Sequence, residues 1–114
     1  MEKNYIKNID VAEVSTLVDL VSYQSNQIVS KTLAQNPAIS LTLFAFDKGE
    51  EISSHESDGD AMIVALDGEA LITIAGQKYS LKKGETIVMP SKKPHAVYAT
   101  EPFKMFLVVV FPQQ

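Results

Sequence analysis

His55 and His95 are the only two histidines in a chain of 114 residues that contains no cysteine. Imidazole is the side chain whose charge switches near neutral pH, and its neutral nitrogen is the commonest protein ligand for a metal ion. It can also hydrogen-bond a bound carboxylate or a sugar hydroxyl. Without cysteine there is no disulfide, no thiolate nucleophile and no thiolate-held zinc. Two imidazoles cancel none of a divalent ion's charge, and catalytic zinc normally takes three protein ligands. A metal site would therefore have to recruit a carboxylate from the stretch HESDGDAMIVALDG, which begins at His55. Asp60 is the candidate, because the irregular SDGD segment could turn it inward by a one-residue slip or bulge. Strict alternation from His55 points Glu56 and Asp58 the other way. The competing reading leaves all three acids in a solvated loop and gives the histidines to a ligand.

The elements that must hold these residues read as strands. From Gln27 onward, QIVSKTL and AISLTLFAF are rich in β-branched and aromatic residues, with Gln35-Asn36-Pro37 as a turn between them. A polar loop carrying His55 is expected after Gly49. Beyond it, short strands break at Asp67-Gly68, Ala75-Gly76 and Lys83-Gly84, and HAVYAT and KMFLVVVF follow. Roughly eight to ten short, evenly spaced strands without intervening helices predict an all-β sandwich or barrel. If His55 and Ser57 face its interior, period two places Ala61, Ile63 and Ala65 there too, with Val97 and Ala99 beside His95. The expected ligand pocket is thus His55, Ser57, Ala61, Ile63, His95 and Val97. Tyr23, Gln24, Ser30 and Lys31 could add polar contacts, and Met89 and Met105 read as core. Before the strands, Asp10 and Glu13 form an N-cap pattern, and Val11, Val14, Leu17, Val18 and Val21 fall near helical spacing. Residues 1–25 are expected to cover one end of the barrel as a short helical or extended segment, and 26–114 to form the barrel of a single domain.

Composition removes several function classes. The net charge of −4 and pI near 5.0 disfavour nucleic acid, whose phosphates need clustered Lys and Arg. No apolar run approaches the ~20 residues of a membrane span, and MEKNYIKNID is too polar to be a signal peptide. A cytoplasmic protein is expected. Residues 62–66 and 105–111 are apolar on both faces, which calls for cover on both sides and predicts a homodimer.

The spacing of these residues resembles the cupin superfamily, and in particular its single-domain bacterial members. The first cupin motif, G-x5-H-x-H-x(3-4)-E-x6-G, is matched by Gly49, His55 and Gly68; the second, G-x5-P-x-G-x2-H-x3-N, by Gly84, Pro90 and His95. The resemblance spans Gly49 to about Ala99 and implies a double-stranded β-helix, or jelly-roll, barrel. It also implies a metal-binding position at His55 and His95, but the motif is degenerate. Ser57 stands where the second histidine belongs, Ala61 where the glutamate belongs, Lys92 for the glycine and Ala99 for the asparagine.

Two functions follow. The first is a small-molecule-binding cupin, without catalysis, for a sugar-like or anionic metabolite. The alternative is a metal-dependent enzyme of dioxygenase or isomerase type, with His55 and His95 holding one divalent ion (Fe, Mn, Ni, Zn or Cu) and Asp60 completing the site. A purely structural or regulatory dimer is a third, and would need a separate partner.

Overall fold

A computed structural model describes residues 4–113. The first three positions of the expected cover segment and the last barrel residue lie outside the described residues. Among the described residues, nine antiparallel strands form two sheets: β1 Ile28–Gln35, β2 Ile39–Phe46, β3 Glu51–His55, β4 Asp60–Asp67, β5 Glu69–Ile74, β6 Gln77–Lys82, β7 Thr86–Met89, β8 His95–Ala99 and β9 Phe103–Val110. One sheet runs β1-β2-β9-β4-β7 and the other β3-β8-β5-β6. This is an all-β barrel as expected from the strand spacing, with the jelly-roll form that the motif resemblance implied.

Alternation sets the core. Along β4, Ala61, Ile63 and Ala65 are buried, and along β9 so are Phe103, Met105 and Val109. They meet Ile72 and Ala70 of β5 and Val97 of β8 from the facing sheet. Phe46 and Phe103 close one end with their rings 5.8 Å apart, edge to face. Each such side chain, fully withdrawn from water, contributes roughly 1.5–3 kcal/mol.

The chain passes from one sheet to the other at Asp67-Gly68-Glu69. Gly68 has φ of +74° and lies so close to Pro102 that a β-carbon would sit 1.8 Å from its carbonyl oxygen. Only glycine fits there. Gly59 is equally confined, since a β-carbon would meet the Val110 carbonyl oxygen at 2.5 Å.

Two expectations need correction. The stretch after Gly49 is a strand rather than a loop; β3 is polar because it is an edge strand of the smaller sheet, with Ile52 its only half-buried residue. The N-terminal segment is short-helical or extended as expected, with one 3-10 turn at Leu17–Leu20, but its cap and placement differ: Asp10 caps nothing, and Val11 and Val14 are exposed. Valine and threonine are too costly in a helix to support one without packing along its length. The segment instead lies along the outer face of the larger sheet, where Val21, Leu17 and Leu20 pack on Leu33, Leu43 and Ala45. Tyr23 pins it by donating a 2.5 Å hydrogen bond to Asp67, and the Lys104 ammonium, 4.9 Å from the Tyr23 ring centre, donates to the Val18 carbonyl at 2.9 Å.

That cover is partial. Opposite residues on the outer face run Leu41, Val108, Met62 and Val88 across four strands. Met62, Val88 and the neighbouring Val110 are solvent-exposed.

Candidate functional site

His55 and His95 come from neighbouring strands and sit directly opposite one another in the β3–β8 ladder. Ile52 pairs with Val97, and strict alternation from Ile52 would send His55 outward. The ladder carries a bulge between Ile52 and His55. One extra residue there reverses the phase, so that Ile52 and His55 both face inward. His95 is reached through Lys92-Lys93-Pro94. Lys92, at the position of the missing motif glycine, nonetheless takes the left-handed φ of 62°. This costs a non-glycine residue about 1–2 kcal/mol, and the Lys92 N–H is held by the Ser57 carbonyl at 2.7 Å.

The two imidazoles meet edge to face, with ring centres 4.3 Å apart and Nε2 to Nε2 3.2 Å. Their far nitrogens are both engaged: Nδ1 of His55 with the Ser53 carbonyl at 3.2 Å, and Nδ1 of His95 with the Lys93 carbonyl at 3.3 Å. A carbonyl oxygen only accepts, so each Nδ1 carries the proton of its neutral ring. Both Nε2 atoms are then acceptors, and they point at one another. Neither can donate across the 3.2 Å gap. Burial of His95, and secondarily the neighbouring His55, hold the His95 pKa below its ordinary value, outweighing the opposing pull of the Lys93 carbonyl. A neutral imidazole has one proton, so with both Nδ1 atoms donating to carbonyls the two Nε2 atoms face one another as acceptors.

A cavity of about 160 Å³ opens in front of it. Its walls are Phe44, Leu107 and Val109 from the larger sheet and Ile52 and Val97 from the smaller, with Met89, Met105 and Ala61 also lining it. His55, His95 and Ser57 are its polar side chains. His95 is only 4% exposed, whereas His55 is exposed. The Ser57 hydroxyl oxygen accepts from the Gly59 N–H at 3.1 Å, which leaves its proton to donate.

The structure thus brings together five of the six pocket residues expected from sequence. Ile63 is the exception: fully buried, it belongs to the core and does not line the cavity. Asp60 faces elsewhere, accepting the Ser91 N–H at 2.8 Å from an exposed position. No slip turns it inward, because β4 stays in register with β9 from Asp60 to Ala65 and shifts only beyond that. Glu56 and Asp58 are exposed too. Lys31 lies beside the N-terminal segment, Tyr23 packs on the outer face, and Tyr98 is exposed. The cavity walls from β2 and β9 were not foreseen; both strands alternate, but which phase faces the histidines depends on cross-strand register.

A divalent metal does not fit the donor set. Among the described residues no three of His, Cys, Asp and Glu come together to hold one, and two neutral nitrogens leave the ion's charge uncompensated.

The sequence profile of the cupin domain matches residues 42–111. Among solved structures, a conserved protein of unknown function from Streptococcus pyogenes is 46% identical, with 98% of each chain covered and a TM-score of 0.96. A cupin superfamily protein from Desulfitobacterium hafniense is 33% identical over 94% of this chain and 98% of its own, with a TM-score of 0.90. A cupin 2 conserved barrel domain protein from Leptotrichia buccalis is 43% identical over 82% of this chain and 46% of its own, with a TM-score of 0.81. No curated protein matches this chain.

The lowered His95 pKa gives stability a pH dependence whose sign is set by linkage. As pH falls through about 6.5, the unfolded chain takes up this proton before the folded one does, so stability falls from there down to the folded-state pKa and then levels. Urea midpoints at about pH 7.5 and 5.5 should therefore differ in the wild type and converge in His95→Asn. An unchanged difference in the variant would assign it to other groups.

Proposed function

This chain belongs to the cupin family, and on that premise we propose that it is a small-molecule-binding cupin rather than an enzyme. The observation that carries the reading is a cavity whose polar side chains are two imidazoles and one hydroxyl, with no carboxylate among its lining residues. Binding needs a concave, mostly apolar space and a few placed polar groups, and this site has both. Hydrolytic or proton-transfer chemistry would need an acid and a base within reach of a substrate; the two histidines here are matched acceptors, tied by the same contacts to the same tautomer. The sugar-like and anionic metabolites that the sequence admits would have these three side chains to work with.

A metal-dependent enzyme of dioxygenase or isomerase type is the second reading, favoured by one observation. Histidines that ligate a metal through one nitrogen usually donate the other N–H to a backbone carbonyl or carboxylate, and both Nδ1 atoms contact carbonyls here. The missing carboxylate weighs against it.

We further propose a homodimer, formed through the outer face of the larger sheet. Met62, Val88 and Val110 are exposed there in one patch, and a second copy of the same sheet is self-complementary to it. A cytoplasmic location goes with this reading; among the described residues no helix is long and apolar enough to cross a membrane.

Two measurements check these readings. Elemental mass spectrometry of untagged protein should find well under one metal equivalent per chain, with the same content in the His55→Ala, His95→Ala double variant. Near one equivalent of a single metal, lost in that variant, would overturn the binding reading in favour of the enzyme. Sedimentation equilibrium should give a dimer that Met62→Glu shifts toward monomer; a monomeric wild type would remove the dimer.

A further inference from the structure

We propose that the cavity selects a small, neutral, largely apolar molecule bearing one hydroxyl group, of the size and kind of a phenol, over a sugar or a carboxylate. The inference rests on the small-molecule-binding reading above and names the class of molecule that would fill the site.

Size comes first. A dry protein cavity of about 150 Å³ takes a benzene molecule, and this one is about 160 Å³. A ligand of roughly six to eight non-hydrogen atoms fits on that scale. The walls then restrict its body. Phe44, Ile52, Met105, Leu107 and Val109 offer no side-chain hydrogen bond. A hexose has five hydroxyls to satisfy, and each one buried without a partner costs about 1–3 kcal/mol. An apolar body meets no such cost.

The head group follows from the histidine tautomers. With both Nδ1 protons committed to carbonyls, the two Nε2 lone pairs converge within 3.2 Å. Whatever binds between them has to donate. A carboxylate has only lone pairs to offer, and it would face two acceptors across an apolar cavity with no cation among its lining side chains. An ammonium group can donate but would be buried without a counter-ion, since Asp60 is turned away to Ser91. A hydroxyl avoids both faults. It donates its one proton to an imidazole Nε2, and its oxygen can accept from Ser57, whose own oxygen is already engaged by the Gly59 N–H. One hydroxyl therefore offers a donor to the imidazole pair and an acceptor to Ser57.

The test is a titration of the full-length protein, followed by amide chemical shifts, with four probes: phenol, benzene, benzoate and glucose. Phenol should bind with the shifts confined to β3, β8 and the cavity walls. Benzene should bind about tenfold more weakly, the worth of one net hydrogen bond, and benzoate and glucose more weakly still. In the His55→Ala, His95→Ala double variant, which removes both acceptors, phenol should lose its advantage over benzene while benzene still binds. Equal affinity for phenol and benzene in the wild type would overturn the role of the hydroxyl. Tighter binding of glucose or benzoate than of phenol would overturn this inference and leave the binding reading standing. No shift with any probe at millimolar concentration would overturn both.

Discussion

The site depends on one pairing, His55 opposite His95 across the β3–β8 ladder, made possible by a single bulge. Without that extra residue the His55 ring would project from the outside of the smaller sheet. With it, two imidazoles are pressed edge to face, and two backbone carbonyls fix their tautomers. The rest of the barrel can be seen as support for this arrangement. β8 is held between β3 and β5, and the loop before it is tied to the first motif by the Lys92 N–H on the Ser57 carbonyl. The facing sheet supplies the apolar wall against which a ligand would rest.

Holding two lone pairs face to face stabilises nothing by itself. Backbone contacts to the Ser53 and Lys93 carbonyls maintain it. Sites kept in a locally unfavourable arrangement by the surrounding fold are where binding free energy is recovered when the complementary group arrives. Here the complementary group is a hydrogen-bond donor. The same geometry would suit a metal ion if a carboxylate stood nearby, and the first cupin motif ordinarily supplies one. In this chain the glutamate position is Ala61, whose methyl group lines the cavity instead.

Much of the fold was legible in the sequence because strands announce themselves by alternation and turns by glycine and proline. Gly68 is a clear instance: the sequence marks a break there, and the close approach of Pro102 explains why no side chain is tolerated. The barrel interior around His95 was legible too, since Val97 and Ala99 follow it at period two and are buried. What failed did so for identifiable reasons. Glu51–His55 is polar and lacks an apolar face because it is an edge strand, so it reads as a loop. The valines of residues 11–21 mimic helical spacing, but their side chains are used singly, against a sheet face or not at all. Alternation placed Ile63 correctly inside, yet it carries no information about depth along the barrel, and so could not separate core from cavity wall. The tautomers of the two histidines are set by carbonyls two residues away, Ser53 and Lys93, whose approach depends on backbone bends at a bulge and at a left-handed lysine. Neither bend has a sequence signature strong enough to be read in advance.

What the cavity can bind depends on where the imidazole protons reside. Long-range nitrogen–proton correlation spectra of the two rings, recorded near pH 7.5 on nitrogen-15-labelled protein, report this directly. Both rings should carry a proton on Nδ1, facing the Ser53 and Lys93 carbonyls, and a bare Nε2. A proton on Nε2 of either ring would turn the facing pair into an ordinary donor–acceptor contact and would contradict the account.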